Sequence, residues 1–253
     1  MSGTVEFRRQ TTISKVVASD PFQDLITDGH TKAWYIWNEG YTLDGSGVTA
    51  LNDQSGNGYH LAPTNSTGGD PTSDNYPIWH STNGITFDGT DDVLKATMSG
   101  WTTFGSLYIV CTQRGWSNSD TIIGYAGTGA TRISQALSAE GGSPNIHAVH
   151  SSGQSLAITT FDIDEWGILT LHVNSTTPIC TLKFNNGSTV TNETSMTGFT
   201  SAGIILGAIH AAPPNLQRYS NVSIKEVIVR DVVDGTTDEG IIYDYLSDKY
   251  SIG

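Results

Sequence analysis

Three groups of side chains in this sequence have the types and spacing for chemistry. Asp53-Gln54-Ser55-Gly56-Asn57-Gly58 and Phe87-Asp88-Gly89-Thr90-Asp91-Asp92 each gather side-chain oxygens beside glycines. Hard cations take oxygen ligands, so Asp53, Asn57, Asp88, Asp91 and Asp92 form a candidate set for a structural calcium ion. The same residue types also close turns, accepting from nearby backbone N–H groups while glycine supplies positive φ. No DxDxDG run of the EF-hand kind singles out the ion. The second group is aromatic with polar neighbours: Arg114, Trp116 and Asn118 in one loop, and Tyr76, Trp79 and His80 in a second cluster. Rings of this kind stack on pyranose faces while amides and charged groups bond the hydroxyls, and core packing is the competing use of the same tryptophans. The third group is basic: Arg8, Arg9 and Lys15 lie in the first 19 residues, opposed there only by Glu6.

Other chemistries find no residues to carry them. The chain has no GxSxG elbow, no GxxxxGK[ST] loop and no HExxH pair. His147 and His150 sit three apart in a strand-like run, which sends them to opposite faces, and each histidine reads as a satisfied structural group. Cys111 and Cys180 both fall in apolar strand-like runs and read as buried free thiols, with one structural disulfide as the alternative. The total charge of −13 excludes a nucleic-acid binder working by clustered cations. That total divides unevenly, with a net of +2 in residues 1–19 and −15 beyond. No apolar run approaches the ~18–20 residues that span a bilayer, and Ser2–Gln10 lacks the charged-then-apolar order of a signal peptide. No cofactor is implied beyond the calcium.

The elements that must position these groups are short strands. Candidates recur at Ile85–Phe87, Val93–Ala96, Ser106–Thr112, Thr121–Tyr125, Ala130–Leu137, Ile146–His150, Leu156–Phe161, Trp166–Val173, Ile179–Asn185, Gly203–Ile209 and Val222–Val233. Asn186-Gly187 marks a hairpin. Many short strands with Gly/Asn/Ser turns predict an all-β, two-sheet antiparallel sandwich. One helix is expected at the C-terminus, with Thr236 and Glu239 as a capping box and Ile241, Ile242, Tyr245, Leu246 and Lys249 along its covered stripe. Thr11–Val17 reads as an isolated strand, and Asp20-Pro21 and Asp28-Gly29 as turns. Residues 1–28 are therefore expected to be an arm for docking or oligomerisation, and residues 29–253 one jelly-roll domain.

Trp34 and Trp37, then DQSGNG at 53–58, FDGTDD at 87–92, a strand at Ile224–Val229 and a closing helix with Tyr245-Leu246-Ser247-Asp248-Lys249-Tyr250 resemble the LamG-like branch of the concanavalin A-like lectin/glucanase jelly rolls. The resemblance covers roughly residues 30–253 and is similar to the stand-alone kind seen in bacteriophage structural proteins. It implies the jelly-roll fold, and relatives include enzymes, lectins, adhesion modules and viral structural domains. Catalytic relatives place two acids on one strand in an ExDxxE pattern. The closest segment here, Phe161-Asp162-Ile163-Asp164-Glu165-Trp166, has Phe and Trp at the outer two positions, which argues against the carboxylate pair that glycoside hydrolysis needs.

Three functions follow as expectations. The first is a non-catalytic virion protein, a phage capsid decoration or tail component. Its basic arm would dock on other virion proteins, its jelly roll would be displayed in a homo-oligomer or many copies, and host glycans would be its outer partner. The second is a secreted bacterial carbohydrate-binding module or lectin, extracellular in place of virion-borne. The third is a polysaccharide hydrolase. None involves nucleic acid or membrane insertion.

Overall fold

The computed structural model describes residues 20–67, 69–98, 105–115, 120–126, 136–140, 145–149, 155–158, 161–174, 179–192, 203–212 and 215–253. In chain order the elements begin with α1 (Pro21–Thr27), β1 (Thr31–Ile36), β2 (Tyr41–Asp44), β3 (Gly47–Leu51), β4 (Ala62–Pro63), β5 (Ile78–His80), β6 (Gly84–Asp88) and β7 (Leu94–Thr97). The middle of the chain supplies β8 (Ser106–Gln113), β9 (Thr121–Ala126), β10 (Ala136–Glu140), β11 (Asn145–Val149), β12 (Ser155–Ile158) and β13 (Gly167–Asn174). There follow β14 (Ile179–Phe184), β15 (Val190–Asn192), β16 (Gly203–Leu206), β17 (Ile209–Ala212), β18 (Asn215–Gln217), β19 (Asn221–Arg230) and α2 (Thr236–Tyr250).

These strands build the expected antiparallel sandwich. One sheet has ten strands in the order β15-β14-β13-β8-β19-β6-β5-β3-β2, with β1 also on β19. The facing sheet has seven, in the order β12-β11-β10-β9-β16-β7-β4. Strand β19 takes β6 along Asn221–Ile224 and β1 along Glu226–Arg230. The change of partner falls at Lys225, where the register against β8 shifts by a bulge and the Lys225 carbonyl accepts from the Trp37 N–H at 2.9 Å.

Period-two alternation sorts the central strand β8 between two cores. Leu107, Ile109 and Cys111 join the apolar layer between the sheets, while Tyr108 and Val110 face the other way, toward the helices. Both faces are covered, so all of β8 is buried and reads in sequence as one apolar run. Cys111 is a free thiol in the inner core, and burial pushes its ionisation up; the Cys180 side chain lies outside the described residues.

Two sequence expectations change here. The turn expected at Asp28-Gly29 is present, with Gly29 at φ +89°, but Asp20-Pro21 opens a helix: Asp20 caps α1 by accepting the Phe22 N–H at 3.0 Å, Pro21 starts the helix, and Phe22 and Ile26 are buried against Tyr108, Ile228 and Leu246. Asp-Pro followed by apolar residues at helical spacing is also a helix start, and the partner that makes it one is distant in sequence. The sandwich unit thus takes in residues from Asp20, whereas residues 1–19, with Arg8, Arg9 and Lys15, lie outside the described residues. The second change is at α2, whose cap is Gly235 and not Thr236, with no capping box. The Glu239 carboxylate reaches away from the helix start to Lys183 and His172 on the sheet. An ammonium and an imidazole outbid one backbone N–H. The predicted stripe holds, with Ile242 and Leu246 buried and Ile241 and Tyr245 half-buried.

Arg230 fastens this helical layer. Only 1% of it is exposed; Nε donates to Asp234 at 2.8 Å, Nη2 to Asp28 at 2.7 Å, and Nη1 to the Leu25 carbonyl and Thr31 hydroxyl at 2.6 and 2.9 Å. Burial would raise Asp28, but the Arg230 guanidinium and the His30 N–H outweigh it and hold the carboxyl below its ordinary range. Glu239 is likewise held low, its burial outweighed by Lys183 and His172. A carboxylate with a depressed folded pKa stabilises fully above its unfolded pKa near ~4 and loses that contribution as pH falls through the folded value. Urea unfolding should therefore show stability dropping below pH ~4, less steeply in Asp28→Asn. Arg230→Ala, which strands the buried Asp234 carboxylate, should cost about 3–5 kcal/mol at pH 7.

Candidate functional site

The DQSGNG stretch is a clamp on β1. Asp53 Oδ1 accepts the N–H groups of Trp34 and Ser55, both at 2.9 Å, and Oδ2 accepts the Ser55 hydroxyl at 2.9 Å and the Tyr59 N–H at 3.2 Å. Asn57 Nδ2 donates to the Thr31 and Lys32 carbonyls at 2.9 and 3.1 Å. These bonds occupy both oxygens of Asp53 and the Asn57 amide, so at these two positions the side chains close turns, the alternative use of the same residue types.

Asp88, Asp91 and Asp92 do converge, each offering a carboxylate oxygen within 4.8 Å of the others. Within the turn, Asp92 Oδ2 accepts the Asp88 N–H at 2.9 Å, Asp88 Oδ1 accepts the Thr90 N–H at 2.7 Å, and Asp91 Oδ2 accepts Asn75 Nδ2 at 3.1 Å. Calcium takes six to eight oxygens, so three carboxylates would fill part of a shell. Asp92 is 4% exposed, and burial together with the neighbouring Asp88 pushes its pKa up to about 7. Folded Asp92 therefore keeps a proton that the unfolded chain releases near pH ~4, and its contribution to stability falls as pH rises from about 4 to 7. Asp92→Asn keeps the acceptor and removes the buried charge. It should raise the melting temperature by several degrees at pH 8.5 and by little at pH 4, as read by calorimetry.

An aromatic platform stands at the β2–β3–β5 end of the ten-stranded sheet. Trp79 on β5 is half-buried against the inner core, and its Nε1 donates to the Trp37 carbonyl at 3.1 Å. The Trp37 ring lies 5.7 Å from it, and Tyr41 on the edge strand β2 stacks on it at 5.3 Å and 21°. Tyr41 remains 36% exposed. The turn leading to Tyr41 passes through Gly40 at φ +64°, where a Cβ would come within 2.5 Å of Gln54 Nε2 and 3.0 Å of Asn52. Glycine thus lets the amides of Asn52 and Gln54 close on this turn, and the Asn52 N–H bonds the Gly40 carbonyl at 2.9 Å. Asn38, Glu39 and Asn52 are exposed beside it.

Of the described residues singled out in sequence for sugar binding, Trp79 alone joins this platform, together with Trp37 from the family resemblance. Tyr76 packs over Gly47 instead. His80, next to Trp79 along β5, is exposed and points to the opposite face by strand alternation. Arg114 pairs with Asp164 at 3.0 Å, while Trp116 and Asn118 lie outside the described residues. Tyr41 escapes sequence reading because its neighbours come from β3 and β5, and only the Tyr41-x-Leu43 alternation hinted at its face.

The acids at 162–165 form a tight turn ahead of β13. Asp164 has φ +64° and bonds the Gln113 carbonyl through its N–H at 2.8 Å, and Glu165 Oε2 accepts the Asp162 N–H at 3.3 Å. A second arrangement has the residue types of a nucleophilic triad: Ser106 Oγ lies 2.7 Å from His172 Nδ1, and His172 Nε2 lies 3.2 Å from Glu239. Ser106 is fully buried and its hydroxyl also meets the Val232 carbonyl and the Asp234 N–H, so it joins strands to α2 and meets no substrate. Among the described histidines, His30 bonds Asp231 and His60 accepts the Asp53 N–H, as expected of structural groups. No helix among the described residues is long and apolar enough to cross a membrane.

The architecture defines the chain as a two-sheet antiparallel β-sandwich closed by a C-terminal helix. No protein-family model matches the sequence, and no curated sequence matches it. Solved structures do share the fold. Trypanosoma rangeli sialidase in complex with sialic acid aligns with a TM-score of 0.57 at 12% identity, over 87% of this chain and 33% of that one. The receptor-binding domain of botulinum neurotoxin type G gives 0.56 at 12%, over 86% of this chain and 51% of that one. The binding domain of botulinum neurotoxin DC in complex with SialylT gives 0.55 at 14%, over 87% and 52%. The chain spans about a third of the sialidase and half of the toxin domains, and at these identities the likeness is one of fold.

Proposed function

We propose that this chain is a non-catalytic glycan-binding module. The observation that carries the reading is the exposed Tyr41 ring stacked on Trp79 and backed by Trp37, with the amides of Asn52 and Gln54 at the adjoining Gly40 turn. An apolar ring face next to hydrogen-bonding amides matches a pyranose, which presents C–H groups on one side and hydroxyls around its edge. The fold is shared with a sialidase solved with sialic acid and with toxin receptor-binding domains, which supports the same reading. The turn at 162–165 and the buried Ser106 favour binding over hydrolysis.

Two settings suit such a module. It could be displayed in many copies on a virus particle through the basic residues 1–19, where avidity multiplies weak contacts, or be secreted as a lectin beside a larger enzyme. The glycan-binding part is common to both. The compared structures lend nothing to the particle setting, and mass spectrometry of purified particles from the source tests it. The binding site is tested by Tyr41→Ala, which removes an exposed edge ring and should leave the melting temperature within a few degrees. In saturation-transfer NMR against a glycan panel it should weaken binding by about tenfold, equivalent to ~1.4 kcal/mol. Unchanged binding in a folded variant would overturn the assignment of this site.

A further inference from the structure

We infer that the cleft between α1 and α2 takes the basic segment 1–19 of the same chain, with Lys15 set against Asp244 and Asp248. The two helices meet through stacked rings: the Phe22 and Tyr245 centroids lie 3.5 Å apart at 9°, and Trp34 stands edge-on to both. Beside this stack opens a cleft of about 570 Å³ with Phe22, Ile241 and Tyr245 as its apolar floor. Three exposed carboxylates border it, Asp20 from the start of α1 and Asp244 and Asp248 from α2. The lysine on the same rim, Lys249, donates to Glu226 and to the Tyr245 hydroxyl, both at 2.7 Å. Asp244 and Asp248 stand one helical turn apart, where like charges repel and a cation set between them relieves both. Burial and the carboxylates of Glu226, Glu39 and Asp20 hold the Tyr245 phenol well above its ordinary ionisation range, so the field over the floor is negative.

Charge and connectivity name the occupant. Residues 1–19, which lie outside the described residues, carry Arg8, Arg9 and Lys15 against Glu6, while the rest of the chain carries −15. They join the sandwich at Asp20, itself a wall of the cleft, so the segment begins where the cleft does. Lys15 is five residues from Asp20, a reach of up to ~17 Å, and α2 rises only ~6 Å from Asp244 to Asp248. Ile13, Val16 and Val17 beside Lys15 bring apolar surface suited to the floor. Attachment to the same chain sets an effective concentration of about millimolar, so contacts that are weak one by one suffice. An outside acidic surface that captures Arg8, Arg9 and Lys15 has to draw them from this cleft, and its apparent affinity falls by the fraction of time they spend docked.

The test is the initial rate of trypsin cleavage after residue 15 in the whole chain, read by mass spectrometry. Each rate is divided by that of a free peptide of residues 8–20, which removes the protease's own response to salt. Wild type is compared with the double variant Asp244→Asn, Asp248→Asn and with Lys15→Arg, which keeps both the charge and the cleavage site. Cleavage should be about fivefold slower in wild type and in Lys15→Arg than in the double variant, because a protease takes only the undocked fraction. The protection should shrink between about 20 mM and 500 mM NaCl, a readout that needs no substitution, and should survive hundredfold dilution. Equal cleavage in wild type and in a double variant that melts within a few degrees of it would overturn the inference. Protection that neither salt nor the double variant relieves puts the segment elsewhere, and protection lost on dilution gives the cleft to the segment of a second copy; either result overturns it too.

Discussion

A single buried guanidinium decides how the layers of this protein meet. Arg230 is the last residue of β19 and from there holds the end of α1, the first residue of β1 and the link into α2. The network does not stop at Asp234. Its other oxygen accepts the Tyr108 hydroxyl at 2.8 Å and its N–H donates to Ser106, which continues through His172 to Glu239 and Lys183. Polar groups thus run from α1 across the outer face of the ten-stranded sheet to α2. Each charge in that path is costly to bury alone, and the geometry satisfies it only when both helices are seated. The helical layer is accordingly specified, where apolar contact alone would let α1 and α2 slide on the sheet.

The platform depends on the same sheet at its opposite end. Strand β19 is long enough to take β6 and then β1 along one edge, and the bulge at Lys225 marks the handover. There the Lys225 carbonyl fixes the Trp37 backbone, and the Trp37 carbonyl in turn fixes the Trp79 indole. A ring held by its own N–H and by core contacts loses little freedom when a ligand arrives, which favours binding on a small surface. Tyr41 is the exposed member of a stack whose other rings are set by the fold.

How much of this was legible in the chain depends on the distance over which the deciding contact acts. The strands were legible because alternation and turn residues are local; β13, β14 and β19 fall close to the segments picked out by pattern. The start of α1 was not, since Asp20-Pro21 serves a turn or a helix N-terminus equally well and Tyr108, Ile228 and Leu246 decide between them. The capping box at Thr236 failed for a related reason, because Lys183 and His172 compete for Glu239 from strands more than fifty residues away. Of the candidate site, Trp79 was legible as an aromatic among polar neighbours. Its partners were not, because Trp37 and Tyr41 reach it only through strand order β5-β3-β2.

The oxygen-rich turns make the sharpest division between fold and function. DQSGNG is the most recognisable string in the chain, and its side chains are spent on closing a loop against β1, with Asp53 alone accepting four donors. A motif that is easy to see is easy to see because the backbone demands particular residues there, glycine for positive φ and Asp or Asn for short-range bonds. A stacking surface makes no such demand: any exposed ring on the correct face serves, and its identity is free to follow the ligand. Fold can then be read from the motif, whereas under the proposed function the ligand would follow an exposed ring such as Tyr41, which the fold holds in place but does not require.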